Sequence, residues 1–149
     1  MRQTIAKYKV FVDTNVLIDY LVPSRPFHQV AKDLFGLILS SRVEAAVSTQ
    51  SILDAGYVVR KNPGFSREAF RSTVLYMMSR INVDSIGYFD IKDAMKDPHE
   101  DLEGNAQVAF AYSQACDFLI TNDKAFLARE VPRPMQVMTP EDFVNRCRA

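Results

Sequence analysis

The sequence predicts an α/β fold of three layers, with a mainly parallel central sheet and helices on both faces. Two observations carry that expectation. Short runs rich in β-branched and aromatic residues alternate with longer stretches whose apolar residues recur at helical spacing. Proline, glycine and asparagine fall between these segments, where they break them cleanly. Strand–helix alternation of this kind builds a parallel sheet covered by helices. The 149 residues contain no internal repeat, low-complexity tract or Gly/Ser-rich linker, so a single domain over 1–149 is expected.

Taken in order, Lys7–Asp13 ("KYKVFVD") reads as a buried strand, and "NVLIDYL" as a short helix stopped by Pro23 and Pro26. Phe27–Ser41 carries a helical stripe through Phe27, Val30, Ala31, Leu34 and Leu37–Leu39. Glu44–Thr49 is a second short strand, with the helix "QSILDAGYVVRK" behind it, broken by Asn62, Pro63 and Gly64. Ser66 is placed to cap the next helix, Ser66–Ile81. Ile81–Tyr88 reads as a third strand, and a short acidic helix runs from Asp90 to Pro98. The mostly apolar helix Asp101–Cys116 leads into the strand Asp117–Asp123 ("DFLITND"). A last strand lies in "MQVMT", and Pro140 opens the final helix.

Composition narrows the class. Hydrophobic residues make up 48% and charged residues 24%, ordinary globular values. No stretch approaches the roughly 18–20 apolar residues of a membrane span, and "MRQTIAKYKV" lacks the apolar core of a signal peptide. Two cysteines, Cys116 and Cys147, make no disulfide framework and no CxxC zinc motif, so a reducing cytoplasm is expected. Eighteen basic and 18 acidic residues give a net charge of 0, which argues against gripping nucleic acid by bulk electrostatics alone. The charges are segregated instead. Six acids lie between Asp90 and Glu103 against Lys92 and Lys96, while Arg60, Lys61, Arg67 and Arg71 gather around Glu68.

Sites in covered parallel sheets form beyond the carboxyl ends of the strands, which singles out "FVDTN" and "LITND". Asp13 and Asp123 stand at these ends beside Thr14 and Asn15, and Thr121 and Asn122. Two chemistries put an acid there. Asp is a common cap and turn former, and two converging carboxylates also suit a hard divalent cation. Asp54 sits among Ile52, Leu53, Ala55 and Tyr57, where an acid must reach solvent or a partner; a cation shared with Asp13 would supply one. A dehalogenase-like phosphatase would need an acid at position 15, where Asn15 stands. His99 in "KDPHEDLEG" reads mainly as an exposed loop residue, and Arg67, Arg71 and Lys124 as solvated charges or as contacts to a nucleic-acid backbone.

"VFVDTNVLIDYL", the acid after the second strand, the "DLE" helix start and "DFLITNDKAF", in that order, resemble the PIN-domain family, including its VapC-like toxins. The resemblance runs from Lys9 to about Phe143. It implies an endoribonuclease dependent on Mg²⁺ or Mn²⁺, an RNA substrate, a cognate antitoxin and a homodimer. It makes Asp13 the first metal-ligand acid with Asn15 hydrogen-bonded in support, puts Asp54 where the family usually has Glu, and makes Asp123 the last acid, positioned by Thr121. The third acid departs from the pattern. The family reads D-x-E-D at this helix start, and the chain reads Asp101, Leu102, Glu103, Gly104. Asp101 or Glu100 shares a helical face with Gly104 and is placed to reach the site; the plainer reading has Asp101 capping the helix and Glu100 in solvent. The same residues leave open a catalytically weakened domain that binds protein or RNA, and a nuclease directed at DNA.

Overall fold

The computed structural model describes residues 7–149, so most of the segment read above for a signal peptide lies outside the described residues. The elements are β1 (Lys9–Val12), α1 (Thr14–Leu21), α2 (His28–Leu39), β2 (Glu44–Ser48), α3 (Thr49–Val59), α4 (Arg67–Met78) and β3 (Asn82–Asp84). They continue as α5 (Tyr88–Lys96), α6 (Leu102–Ser113), β4 (Phe118–Ile120), α7 (Lys124–Leu127), β5 (Gln136–Met138) and α8 (Pro140–Arg148). The five strands form one sheet in the order β3-β2-β1-β4-β5, and every pairing is parallel.

Alternation along each strand sends neighbouring side chains to opposite faces. Val10 and Val12 of β1 pack with Phe35, Phe118 and Phe143 beneath α1, α2 and α8. Phe11 between them joins Phe110, Leu119 and Phe126 under α6 and α7. Both faces are therefore apolar and covered, which is why the central strands read as continuous hydrophobic runs.

The strands are shorter than expected. Asp13 and Thr49 belong to the caps and first turns of helices, and β3 keeps only three residues because Asp84 turns to accept from Ser85 N at 2.8 Å. Helix α5 begins two residues before Asp90, where the Gly87 N–H donates to the Asp90 carboxylate at 2.9 Å. The α6 helix stops at Ser113, and Ala115 follows with φ +57°. Ser66 and Thr139 cap α4 and α8 by accepting from Ala69 N and Asp142 N. Among the described residues no helix is long and apolar enough to cross a membrane.

The strand order fixes where a site can form. From β1 the chain moves outward through β2 to β3, then returns to the other side of β1 for β4 and β5. The order in which strands are added thus reverses between β1 and β4. That is the topological switch point, where a crevice opens beyond the carboxyl ends.

Candidate functional site

The two strand ends singled out in the sequence meet at this crevice. Val12 pairs with Ile120, and one residue further on Asp13 N donates to Ile120 O at 3.0 Å. Asp13 caps α1, its carboxylate accepting from Thr14 N at 2.7 Å. Its other oxygen accepts from the Thr121 hydroxyl at 2.8 Å. The same hydroxyl oxygen accepts from Asp123 N at 3.0 Å. Thr121, fully buried, therefore joins the two acids through a single oxygen. Asp123 in turn caps α7 through Ala125 N.

A pocket of about 290 Å³ opens here, lined by Asp13, Asp54, Asp101, Glu103 and Asp123 with the neutral Asn15 and Gln107. A larger apolar groove of about 800 Å³ lies elsewhere, between α1–α2 and the α3–α4 connection. The smaller pocket is the chemically equipped one. Among the described residues none of its five acids has an ion-pair partner; the three ion pairs belong to Asp19, Asp97 and Asp33. Asp13 is 6% exposed. Burial pushes its carboxyl above the ordinary carboxylate range, the hydrogen bonds from Thr121 and Thr14 pull it back, and the neighbouring Asp123 charge adds to the rise.

Asp54 reaches the pocket for a different reason from the one its sequence neighbours offer. Leu53 and Tyr57 are exposed, because α3 turns Ser51, Ala55 and Val59 inward. The helix is oriented by hydroxyls: Thr14 and Ser48 both donate to Ser51 Oγ, at 2.9 and 3.0 Å, and Ser51 N donates back to Ser48. Gln50 then holds Asp54 at 2.8 Å. Ser51→Ala removes the acceptor shared by two hydroxyls, so thermal unfolding should show a loss of about 1–2 kcal/mol.

Asn15 is exposed on the pocket wall and makes no hydrogen bond to Asp13; Thr121 and Thr14 fill that role. Asp101 both caps α6 through Gly104 N at 3.1 Å and lines the pocket. Glu103 lines it too, whereas Glu100 and His99 do not. Arg67, Arg71 and Lys124 are exposed and stand outside the lining.

Three features escaped the sequence. Gln107, 8% exposed, faces the pocket from α6. Buried Asp19 accepts from Arg25 at 2.6 Å and Asn122 at 3.5 Å, pinning the loop that presents Asp123. Arg129 approaches Gly104 from the turn that follows α7. The position of Gln107 three residues after Gly104 was the one available signal; the other two depend on long-range packing.

The donor set fits a hard cation. Its oxygens are carboxylates that make no ion pair among the described residues, and Mg²⁺ commonly takes one or two carboxylates with waters completing its shell. Among the described residues no three acid, His or Cys side chains are already gathered as a cage. A thiol nucleophile has no place: Cys116 is buried and pushed up to about 12 by desolvation.

The PIN domain family model matches residues 9–125. Ribonuclease VapC1 of Aquifex aeolicus is 24% identical over 143 residues, covering 93% of this chain and 94% of the relative. Among solved structures, Mycobacterium tuberculosis VapC20, a sarcin-ricin-loop-cleaving toxin, superposes with a TM-score of 0.66 at 16% identity, over 83% of this chain and 96% of its own. A toxin–antitoxin complex from Klebsiella pneumoniae gives 0.62 at 19% identity, over 88% of this chain and 97% of that one.

Proposed function

We propose that this chain, which belongs to the PIN-domain family, is an Mg²⁺- or Mn²⁺-dependent endoribonuclease and the toxin of a toxin–antitoxin pair, working in the cytoplasm. The observation that carries the reading is the acid pocket at the β1/β4 switch point, whose carboxylates make no ion pair among the described residues. RNA as substrate is supported by likeness to a ribonuclease, and an antitoxin partner by likeness to a toxin–antitoxin complex. A homodimer belongs to the same reading.

Asp13 and Asp123 would hold the ion, with Asp54 and Asp101 reaching it directly or through water. A bound divalent cation polarises a phosphodiester and makes hydroxide available at neutral pH. The chain's own part is positional. Thr121 keeps Asp13 and Asp123 in one fixed relation. Asn15 and Gln107 offer neutral amides on the pocket wall to an RNA phosphate or its attacking water. Lys124 at the start of α7, and Arg67 and Arg71 on α4, are exposed cations available to flanking phosphates.

A second reading, an inactive PIN-like module that binds protein or RNA, is favoured by Gly104 in place of an acid. Cleavage assays on structured and single-stranded RNA, with Mn²⁺, Mg²⁺ or EDTA, separate the two. Metal-dependent cleavage that EDTA abolishes is expected. RNA retained intact by a folded protein at every metal concentration would favour the binding module.

A further inference from the structure

Gly104 does not leave a vacant corner. A β-carbon there would lie 2.5 Å from Asp101 Oδ2 and 2.7 Å from Arg129 Nη1. Only a residue without a side chain admits both groups where they stand. The Arg129 side chain is 4% exposed and is held by Asp97 at 3.3 Å and by the Asn105 side-chain oxygen. Asn105 is itself anchored to Ala94 O and His99 O, and the guanidinium lies 5.5 Å from the ring centre of Phe126, a pocket-lining residue. A guanidinium is always protonated, and burial leaves its charge weakly screened. Asp97 balances part of that charge through Nη2, but Nη1 is the nitrogen turned toward Gly104, where Asp101 Oδ2 also stands.

We propose that Arg129 is a built-in countercharge of the acid pocket: lodged in the space that Gly104 frees, its guanidinium supplies positive charge on that wall, so that the pocket takes a divalent cation more weakly than its acids alone would. The proposal rests on the metal-site reading above and deepens it. Position 104 has gone from a place for a carboxylate to a place for a cation. An acid restored there would meet Arg129 before it met a metal. Gly104 and Arg129 are thus one unit, and Arg129 lies beyond the segment that the family model matches.

The test is calorimetric titration of Mn²⁺ alone into the wild type, Gly104→Asp, Arg129→Gln and the double variant, with circular dichroism to show folding. Arg129→Gln should bind Mn²⁺ on the order of tenfold more tightly. Gly104→Asp alone should change little: its β-carbon pushes the side-chain ends of Asp101 and Arg129 aside, and the new carboxylate pairs with the displaced guanidinium. The double variant should gain more than the two single changes together. A folded Arg129→Gln with unchanged or weaker binding would make Arg129 a structural strut and overturn the proposal. So would a Gly104→Asp protein that binds as tightly as the double. If Arg129→Gln does not fold, Gly104→Asp decides: unchanged affinity supports the pairing and tighter binding overturns it. A wild type that binds no Mn²⁺ beside a double variant that does would uphold the countercharge and sink the metal-nuclease reading. Binding in no variant would overturn both.

Discussion

Asp13→Asn is expected to abolish Mn²⁺ binding and to cut RNA cleavage by roughly 10²–10³-fold or more, the scale of losing a group that stabilises reacting charge, while the chain stays folded. The stability side has a definite sign. Burial raises the folded-state carboxyl above its ordinary value. An acid raised in this way favours the fold fully below its unfolded pKa, and that contribution is lost as pH rises through the folded value. At neutral pH an ionised Asp13 without a cation therefore weighs against the fold. Asn at this position carries no charge to desolvate, so the variant should melt at or above the metal-free wild type at pH 7. The difference should shrink as pH falls below about 4, the ordinary Asp range. Mn²⁺ should raise the melting temperature of the wild type and not of the variant, since it stabilises only the form that binds it. Wild-type cleavage by Asp13→Asn would remove Asp13 from the site. A variant that unfolds would instead make it a structural cap.

Much of this arrangement was legible because it follows from local rules. A run of apolar residues ending in "VDTN" or "ITND" announces a covered strand and a polar crevice end, and two such runs in a parallel sheet bring their acids together once the strands are neighbours. Adjacency itself comes from the order of all five strands, which periodicity does not encode. Asn15 shows the limit well. The family resemblance gives it a hydrogen bond to Asp13, two residues before it, yet the side-chain bond to Asp13 comes from Thr121, 108 residues away. The apolar neighbours of Asp54 do not place it: Leu53 and Tyr57 face solvent, and the hydroxyls of Thr14, Ser48 and Ser51 set the helix instead. Gly104 was visible as a departure from a pattern. That a guanidinium fills it was not, because Arg129 arrives from the turn after α7, 25 positions further along.

Thr121→Val tests whether the two acids work as a unit. Valine keeps the branched shape in a position with no solvent exposure, and the backbone bond from Thr121 N to Met138 O is untouched, so the change isolates the hydroxyl. Asp13 then loses the donor to one carboxylate oxygen, and Asp123 N loses its acceptor. Leaving such groups unpaired should cost about 1–3 kcal/mol, measurable by chemical unfolding. The chemical consequence is more telling. The Thr121 bond is the largest influence pulling the Asp13 carboxyl down; without it, burial and the Asp123 charge act with less opposition and the carboxyl moves further up. Cation binding requires the ionised form, so the pH at which Mn²⁺ binding and cleavage develop should move upward, with activity partly recovered at higher pH. Thr121→Ser, which keeps the oxygen, should restore the wild-type pH profile at a small cost for the missing methyl, about 1 kcal/mol. Lost stability with an unshifted profile would mean that Thr121 only packs the crevice, leaving Asp13 and Asp123 to act independently.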